Sequence, residues 1–138
     1  GEGEMVDNVE MVKQWIEAMN KHNADKMGQY CADDVTAEEV AEPTPFLGRD
    51  AFVKAYRELF SAFPDCKGKV ENMFASDTQV AVEMLWEGTH RGDFRGTPPT
   101  NKKVKILIAY LFRLRDGKIT AIREYYDNYT VMSQMGLV

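Results

Sequence analysis

Few side chains in this sequence of 138 residues are of a type that performs acid–base or nucleophilic chemistry near neutral pH. His90 is one of two histidines, and histidine is the commonest acid or base in that range. It lies at the predicted strand end that leads into the turn-forming segment 92–101, so its alternative role is a hydrogen bond that fixes this loop. His22 is expected to be a solvated residue at a helix end. Cys31 and Cys66 show neither a CxxC nor a Cys/His spacing, and both are predicted to be reduced thiols.

Carboxylates are the second source of such chemistry, because burial in an apolar pocket raises a carboxyl pKa toward neutral pH. Glu38, Glu39 and Glu42 form an acidic cluster, and the alternative interpretation of this cluster is a solvated loop. Asp127 comes near the end of a strand pattern. It either faces the interior or caps the segment Tyr129–Met135.

Composition and charge describe the domain that must position these groups. Apolar residues make up 44% and charged residues 28%, which is typical of one soluble globular domain. With 17 basic and 22 acidic residues the net charge is −5, the wrong sign for binding nucleic acid phosphates. No apolar run reaches the ~18 residues of a membrane-spanning helix, and the start lacks a signal-peptide pattern. We therefore expect a cytoplasmic protein without nucleic acid or membrane partners.

Apolar residues at helical spacing predict three helices in the first half of the chain. Their predicted bounds are Met5–Asn20, Ala24–Cys31 and Asp50–Ala62. Asp7 is expected to be the N-cap of the first helix, with Glu10 placed for a capping box, and residues 1–6 are expected to be disordered. The pair Asp33-Asp34 is expected to end the second helix. A short extended segment, Val35–Val40, and a loop follow.

After Asp65 the apolar residues alternate with polar ones, which predicts four long antiparallel strands. Their predicted bounds are Lys69–Ala75, Gln79–Thr89, Lys103–Arg115 and Lys118–Tyr129. Helices followed by a strand meander are typical of the α+β class, in which helices cover one face of a curved sheet.

Strand alternation also predicts which side chains face the helices. The inward residues of the second and third strands are predicted to be Val82, Met84, Trp86, His90, Ile106, Ile108, Tyr110, Phe112 and Leu114. For the last strand the pattern does not decide which face is inward. One face carries Ala121, Arg123, Tyr125 and Asp127, and the other carries Ile122, Glu124, Tyr126 and Asn128. An inward Arg123 would keep a nearby Asp127 ionised as a base. The alternative for Arg123 is an outer-face ion pair with Glu83 or Glu87.

Four sequence motifs point to a known family. They are AFPD at residues 62–65, WEGTHRGDFRGTPPT at 86–100, FRLRDGKI at 112–119, and Asp127 ahead of QMG at 134–136. With them the chain resembles, over nearly its whole length, the SnoaL-like polyketide cyclase branch of the NTF2-like superfamily. This resemblance implies a single domain shaped as an α+β cone, with helices packed in a curved antiparallel sheet. It also implies an apolar pocket at the wide end and a homodimer.

The resemblance implies site residues as well. Cyclase-like relatives use an acidic residue on the last strand, which Asp127 matches, and isomerase-like relatives place their catalytic carboxylate where Glu39 falls. Trp15 and Tyr110 replace the two hydrogen-bond donors of the isomerases, so their paired oxyanion hole is not expected. The candidate catalytic residues are Asp127, Glu39, His90, Tyr110 and Arg123. The candidate ligand-binding residues are Trp15, Tyr56, Phe60, Met84, Trp86, Ile108, Phe112 and Tyr125.

Three functions remain open at this point. The first is a cofactor-independent and metal-independent cyclase or isomerase that acts on a small apolar carbonyl compound by carboxylate acid–base catalysis. The second is a non-catalytic ligand-binding or dimerisation module on the same fold. The third is a scaffold with a filled cone, which would lack a cavity of the ~300 to 1,000 Å³ usual for small-molecule sites.

Overall fold

A computed structural model describes residues 1–138 as four helices and six strands. The helices are α1 (Glu2–Asn20), α2 (Ala24–Gln29), α3 (Arg49–Ala62) and α4 (Asn128–Gln134). The strands are β1 (Cys31–Glu39), β2 (Phe46–Leu47), β3 (Lys67–Ala75), β4 (Gln79–Thr89), β5 (Lys103–Arg115) and β6 (Lys118–Tyr125). The α+β class predicted from the sequence is confirmed, and the bounds of β4 and β5 are those predicted. None of the helices is both long enough and apolar enough to cross a membrane.

The six strands form one sheet in the order β2-β1-β6-β5-β4-β3. All neighbours are antiparallel except β1 and β6, which run parallel. The β1–β6 pairing joins the first half of the chain to its end, and it places Glu39 directly opposite Glu124.

The core lies between the helices and the inner face of the sheet. Trp15 of α1 is fully buried, and its ring centroid lies 5.1 Å from that of Phe112 and 5.7 Å from that of Tyr56. Burying one such large apolar side chain contributes roughly 1.5 to 3 kcal/mol. The predicted inward residues of β4 and β5 are all buried except Ile106, which is partly buried.

Strand β6 ends at Tyr125, four residues earlier than predicted, because Asp127 begins a helix. One carboxyl oxygen of Asp127 accepts from the backbone N–H groups of Tyr129 (3.0 Å) and Thr130 (3.4 Å). The other accepts from the Thr130 hydroxyl at 2.8 Å. A side chain that accepts from the first turn in this way is an N-cap, and the helix it starts is α4.

The helix ends differ from the prediction by more than one residue in two places. Helix α1 begins at Glu2 after Gly1, so residues 2–6 are helical and Asp7 is an exposed residue inside the helix, not its N-cap. Helix α2 ends at Gln29 without help from Asp33-Asp34, which lie within β1. The Arg49 guanidinium instead binds the Gly28 carbonyl (3.0 Å) and the Cys31 carbonyl (2.7 Å) at this helix end.

Candidate functional site

A cavity of about 100 Å³ opens between α3, α4, the loop after β4 and the inner face of the sheet. Sixteen of its 20 lining residues are hydrophobic. The lining residues are Ala37, Glu38, Glu39, Phe46, Phe52, Ala55, Tyr56, Leu59, Phe63, Trp86, Phe94, Arg95, Val104, Ile106, Ile108, Tyr110, Ile122, Glu124, Tyr126 and Val131. This volume is below the ~300 to 1,000 Å³ of typical small-molecule sites, so a compound of few atoms fits it without movement of the walls.

The structure brings three of the eight predicted ligand-binding residues to the cavity, namely Tyr56, Trp86 and Ile108. Four others are buried in the core without lining the cavity; they are Trp15, Phe60, Met84 and Phe112. Helix α1 supplies no lining residue, because its inward side chains pack directly against the sheet. Tyr125 is 43% exposed, since it lies on the face of β6 opposite to Glu124.

Two glutamates from neighbouring strands line the cavity side by side. Glu39 on β1 and Glu124 on β6 are partners in the strand register, and paired strands lie about 4.8 Å apart. Neighbouring carboxyl groups oppose each other's ionisation.

Glu39 is an ion-paired carboxylate. Its Oε2 accepts from the guanidinium of Arg95 at 2.5 Å, and its Oε1 accepts from the hydroxyl of Tyr126 at 2.7 Å. Arg95 also lies 3.5 Å from a carboxyl oxygen of Glu42, and its guanidinium lies over the ring of Phe94 at 4.7 Å. Charge-assisted bonds of this kind are about twice as strong as neutral ones, so they hold Glu39 in place.

Glu124 has a different environment. Its only partner is the hydroxyl of Tyr56, which donates to Oε1 at 2.9 Å, while Oε2 has no partner. Burial, and next the negative charge of Glu39, raise the pKa of Glu124 to about 8, although the Tyr56 hydrogen bond and Arg95 act against this. At neutral pH the protonated form of Glu124 therefore predominates, and it is a hydrogen-bond donor.

Tyr110 on β5 lies directly opposite Glu124 in the strand register. Its side chain lines the cavity and the residue is 3% exposed, yet its hydroxyl has no hydrogen-bond partner. Burial and the nearby Glu124 raise the pKa of Tyr110 well above its usual value, so the hydroxyl stays protonated. Tyr110 and Glu124 together supply two donors to one cavity. The two donor positions of the isomerases are still occupied by Trp15 and Tyr110, and the second donor group of this cavity comes from a different position, Glu124.

The loop after β4 positions Arg95. The backbone N–H groups of Arg91 and Gly92 donate to the Ala62 carbonyl at the end of α3. A Cβ on Gly92 would lie 2.6 Å from the Ser61 carbonyl oxygen, so this close approach requires glycine.

His90 fixes the other end of this loop. It is fully buried, its Nδ1 accepts from the backbone N–H of Thr100 at 3.2 Å, and its ring stacks on Phe63. It does not line the cavity. The structure thus agrees with the alternative role of His90 as a residue that shapes the loop.

Among the predicted catalytic residues, the structure brings Glu39 and Tyr110 together in the cavity and leaves out Asp127, Arg123 and His90. Asp127 is exposed and caps α4; the donors of Thr130 lower its pKa. Arg123 lies on the outer face and pairs with Glu38, not with Glu83 or Glu87.

Sequence reasoning did not select Glu124, Tyr126 and Arg95. The first two belong to one of the two faces left open for the last strand, and the apolar Ile122 on that face is the signal that favours it. For Arg95 the sequence carries no signal, since its partner Glu39 is 56 residues away along the chain.

The other chemically capable side chains do not form a second site. No group of three or more His, Cys, Asp or Glu side chains is arranged to hold a metal ion. Cys31 and Cys66 are free and buried, and burial raises the pKa of each thiol to about 12. Thiols protonated in this way are poor nucleophiles.

Comparison with known proteins gives matches along almost the whole chain. The family model described as SnoaL-like polyketide cyclase matches residues 9–135. Aklanonic acid methyl ester cyclase DauD of Streptomyces sp. (strain C5) is 25% identical over 135 residues, which cover 96% of this chain and 83% of DauD. Aklanonic acid methyl ester cyclase DnrD of Streptomyces peucetius is also 25% identical, over 96% of this chain and 92% of DnrD. Among solved structures, a putative SnoaL-like polyketide cyclase from Jannaschia sp. CCS1 superposes with a TM-score of 0.89 at 23% identity, over 97% of this chain and 94% of that one.

Proposed function

This chain belongs to the SnoaL-like polyketide cyclase family, and on that premise we propose that it is a cofactor-independent enzyme that moves a proton next to a carbonyl group. The observation that carries the proposal is the row Glu39, Glu124 and Tyr110 across three adjacent strands, all facing one apolar cavity. It combines a charged carboxylate with two protonated donors. Where two neighbouring carboxyl groups have environments that favour different protonation states, the ionised one can act as the base and the protonated one as the acid.

In the proposed mechanism Glu39 is the base. It removes a proton from the carbon next to the substrate carbonyl, and negative charge develops on the carbonyl oxygen. The Tyr110 hydroxyl and the Glu124 carboxyl donate hydrogen bonds to that oxygen and stabilise the enolate. A positioned base contributes roughly 10² to 10⁴ in rate, and loss of one such donor costs about 10² to 10³.

The fate of the enolate distinguishes the two reaction types. In an isomerisation, Glu39 returns its proton to a different carbon of the same substrate. In an aldol-type ring closure, the enolate carbon attacks a second carbonyl group and a C–C bond forms. The new alkoxide then takes up the proton that Glu39 removed, which restores the base. Neither route consumes an oxidant, a reductant or a second substrate.

The proposed substrate is a small apolar carbonyl compound. The relatives DauD and DnrD are named for aklanonic acid methyl ester, but at 25% identity the substrate is not transferred to this chain. The cavity of about 100 Å³ accommodates few atoms beside the reacting carbonyl. Larger substrates would require movement of Arg95, which lies at the cavity and is one-third exposed.

Hydrogen exchange in D₂O tests the proposal against a non-catalytic ligand-binding module. Small linear and cyclic ketones are incubated with the protein, and NMR follows exchange at the carbon next to the carbonyl. We expect faster exchange than in buffer alone, and loss of this acceleration in Glu39→Gln. Glu58→Gln is the matched control, because Glu58 is exposed and has no ion pair. Binding of ketones without any exchange would favour the non-catalytic module.

A further inference from the structure

The charges in the cavity are unbalanced. Three glutamates and one cation, Arg95, line the cavity. Glu38 pairs with Arg123 on the outer face, which leaves Glu39 and Glu124 facing the interior. Arg95 binds Glu39 directly, and no cation contacts Glu124. If both glutamates were ionised, the three groups would carry a net charge of −1 in an apolar enclosure, which is energetically costly. Protonation of Glu124 removes this excess negative charge, because no cation pairs with its carboxyl group.

The walls of the cavity suit a cation. Eight of the 20 lining residues are aromatic. The faces of aromatic rings attract cations, most strongly where water is excluded.

Two oxygen atoms in the cavity also form no hydrogen bond within the protein. One is Oε2 of Glu124, which has no protein partner. The other is the hydroxyl oxygen of Tyr110, which forms no hydrogen bond although the residue is only 3% exposed. Neither atom is among the fully enclosed, unpartnered ones of the chain, which are Trp15 Nε1 and His90 Nε2. Both oxygen atoms are therefore accessible from within the cavity.

We propose that this cavity binds a small protonated alkylamine, with its ammonium group on Glu124 and Tyr110 and its alkyl chain against the aromatic walls. The ammonium group donates to Oε2 of Glu124 and to the Tyr110 oxygen. As it enters, the Glu124 proton leaves to solvent, so the charge of the cavity is unchanged. Removing that proton at pH 7 from a group with a pKa of about 8 costs roughly tenfold in affinity, which one ion pair with an ammonium offsets.

The groups that face Glu124 come from four parts of the chain. Glu39 on β1 and Arg95 in the loop after β4 carry charge, while Tyr56 on α3 and Tyr110 on β5 are neutral phenols. None of them supplies a second cation. The binding of an amine does not depend on the proposed catalytic function, because it requires the charges and walls of the cavity but no turnover.

Titration calorimetry with three probes of similar size tests the proposal. The probes are n-butylamine, the neutral n-butanol and the anionic butyrate, each at pH 7 with wild-type protein. We expect n-butylamine to bind at least about tenfold more tightly than n-butanol, and butyrate to bind most weakly. Repeating the amine titration in two buffers of different ionisation enthalpy should show close to one proton released per amine bound.

The variant Glu124→Gln separates the cation site from apolar binding. It should lower n-butylamine affinity to that of n-butanol and leave n-butanol affinity within about twofold, whereas Glu58→Gln should behave as wild type. Equal affinities of amine and alcohol in the wild type, absence of amine binding, or amine binding without proton release would each overturn the proposal. The buffer comparison needs only wild-type protein, so it decides the matter even where Glu124→Gln folds poorly. If the amine does not bind as proposed, the result of the ketone exchange experiment is unaffected.

Discussion

Tyr110 and Glu124 lie directly opposite each other on β5 and β6, and both line the same cavity. On its other side Glu124 has Glu39 as its register partner on β1. Three adjacent strands thus present a carboxylate, a protonated carboxyl and a phenol in one row. Because sheet register determines their order, the proposed acid–base assignment depends on backbone pairing and not on loops. Only Arg95, the partner of Glu39, comes from a loop.

Glu39→Gln and Asp127→Asn discriminate between the two carboxylates that the family resemblance favours. We expect Glu39→Gln to lower kcat for ketone exchange by roughly 10² to 10⁴, because a positioned base is lost. Asp127→Asn should change kcat by less than about threefold, since this side chain lies outside the cavity and asparagine also caps helices. An equal loss in both variants would return the base role to Asp127.

The pH dependence of kcat/KM reports the protonation of Glu124. Its pKa of about 8 means that the donor form is complete at lower pH and is lost as pH rises through 8. We therefore expect kcat/KM to decline above pH 8 in the wild type. Glu124→Gln should abolish this decline, because an amide stays a neutral donor. A rate that increases through pH 8 would instead make Glu124 the base.

The same ionisation affects stability. The folded pKa of Glu124 is about 8 and its usual value is 4.5, so between these pH values the folded state holds a proton that the unfolded state has lost. Wild-type stability is therefore reduced as pH rises from 4.5 to 8. One pKa unit corresponds to about 1.4 kcal/mol. The difference in free energy of unfolding between Glu124→Gln and wild type should therefore be more favourable to the variant at pH 8.5 than at pH 5, by more than about 1 kcal/mol. Urea unfolding of both proteins at the two pH values measures this difference, and a difference independent of pH would contradict it.

Tyr110→Phe should separate catalysis from stability. The hydroxyl has no partner within the protein, so its removal should leave the free energy of unfolding within about 0.5 kcal/mol or raise it. The loss of one donor to the developing oxyanion should lower kcat by about 10² to 10³. Thermal unfolding and ketone exchange on the same samples give both values. A marked loss of stability with unchanged kcat would mean that the hydroxyl has a structural role.

Strands β4 and β5 could be predicted to the residue, because their long alternating runs match the period of a strand with one buried face. For β6 the same rule was insufficient, since each of its faces carries a charged residue, Arg123 or Glu124. The choice depends on Tyr56, which lies 68 residues away and donates to the Glu124 carboxyl group. Such a distant partner leaves no trace in local periodicity.

The end of β6 shows a second limit of local patterns. Tyr125, Tyr126 and Tyr129 all have high strand propensity, and they extend the predicted strand past its true end. Asp127 decides otherwise, because its carboxyl group satisfies the free N–H groups of the first turn of α4. Of the residues that the family resemblance implied, Glu39 and Tyr110 line the cavity and Asp127 does not. The acidic residue of the last strand that does line it, Glu124, comes three positions earlier.

The ionisation state of Glu124 tests the proposed site most directly. Carbon-13 NMR of protein labelled at the glutamate carboxyl groups, with the signal assigned by its loss in Glu124→Gln, follows this one group as pH changes. We expect the Glu124 signal to titrate with a pKa near 8, so that the group is protonated at pH 7. A signal that titrates with a pKa near 4.5 would show an ionised Glu124 at neutral pH, and it would contradict the pairing of an acid with a base in this cavity.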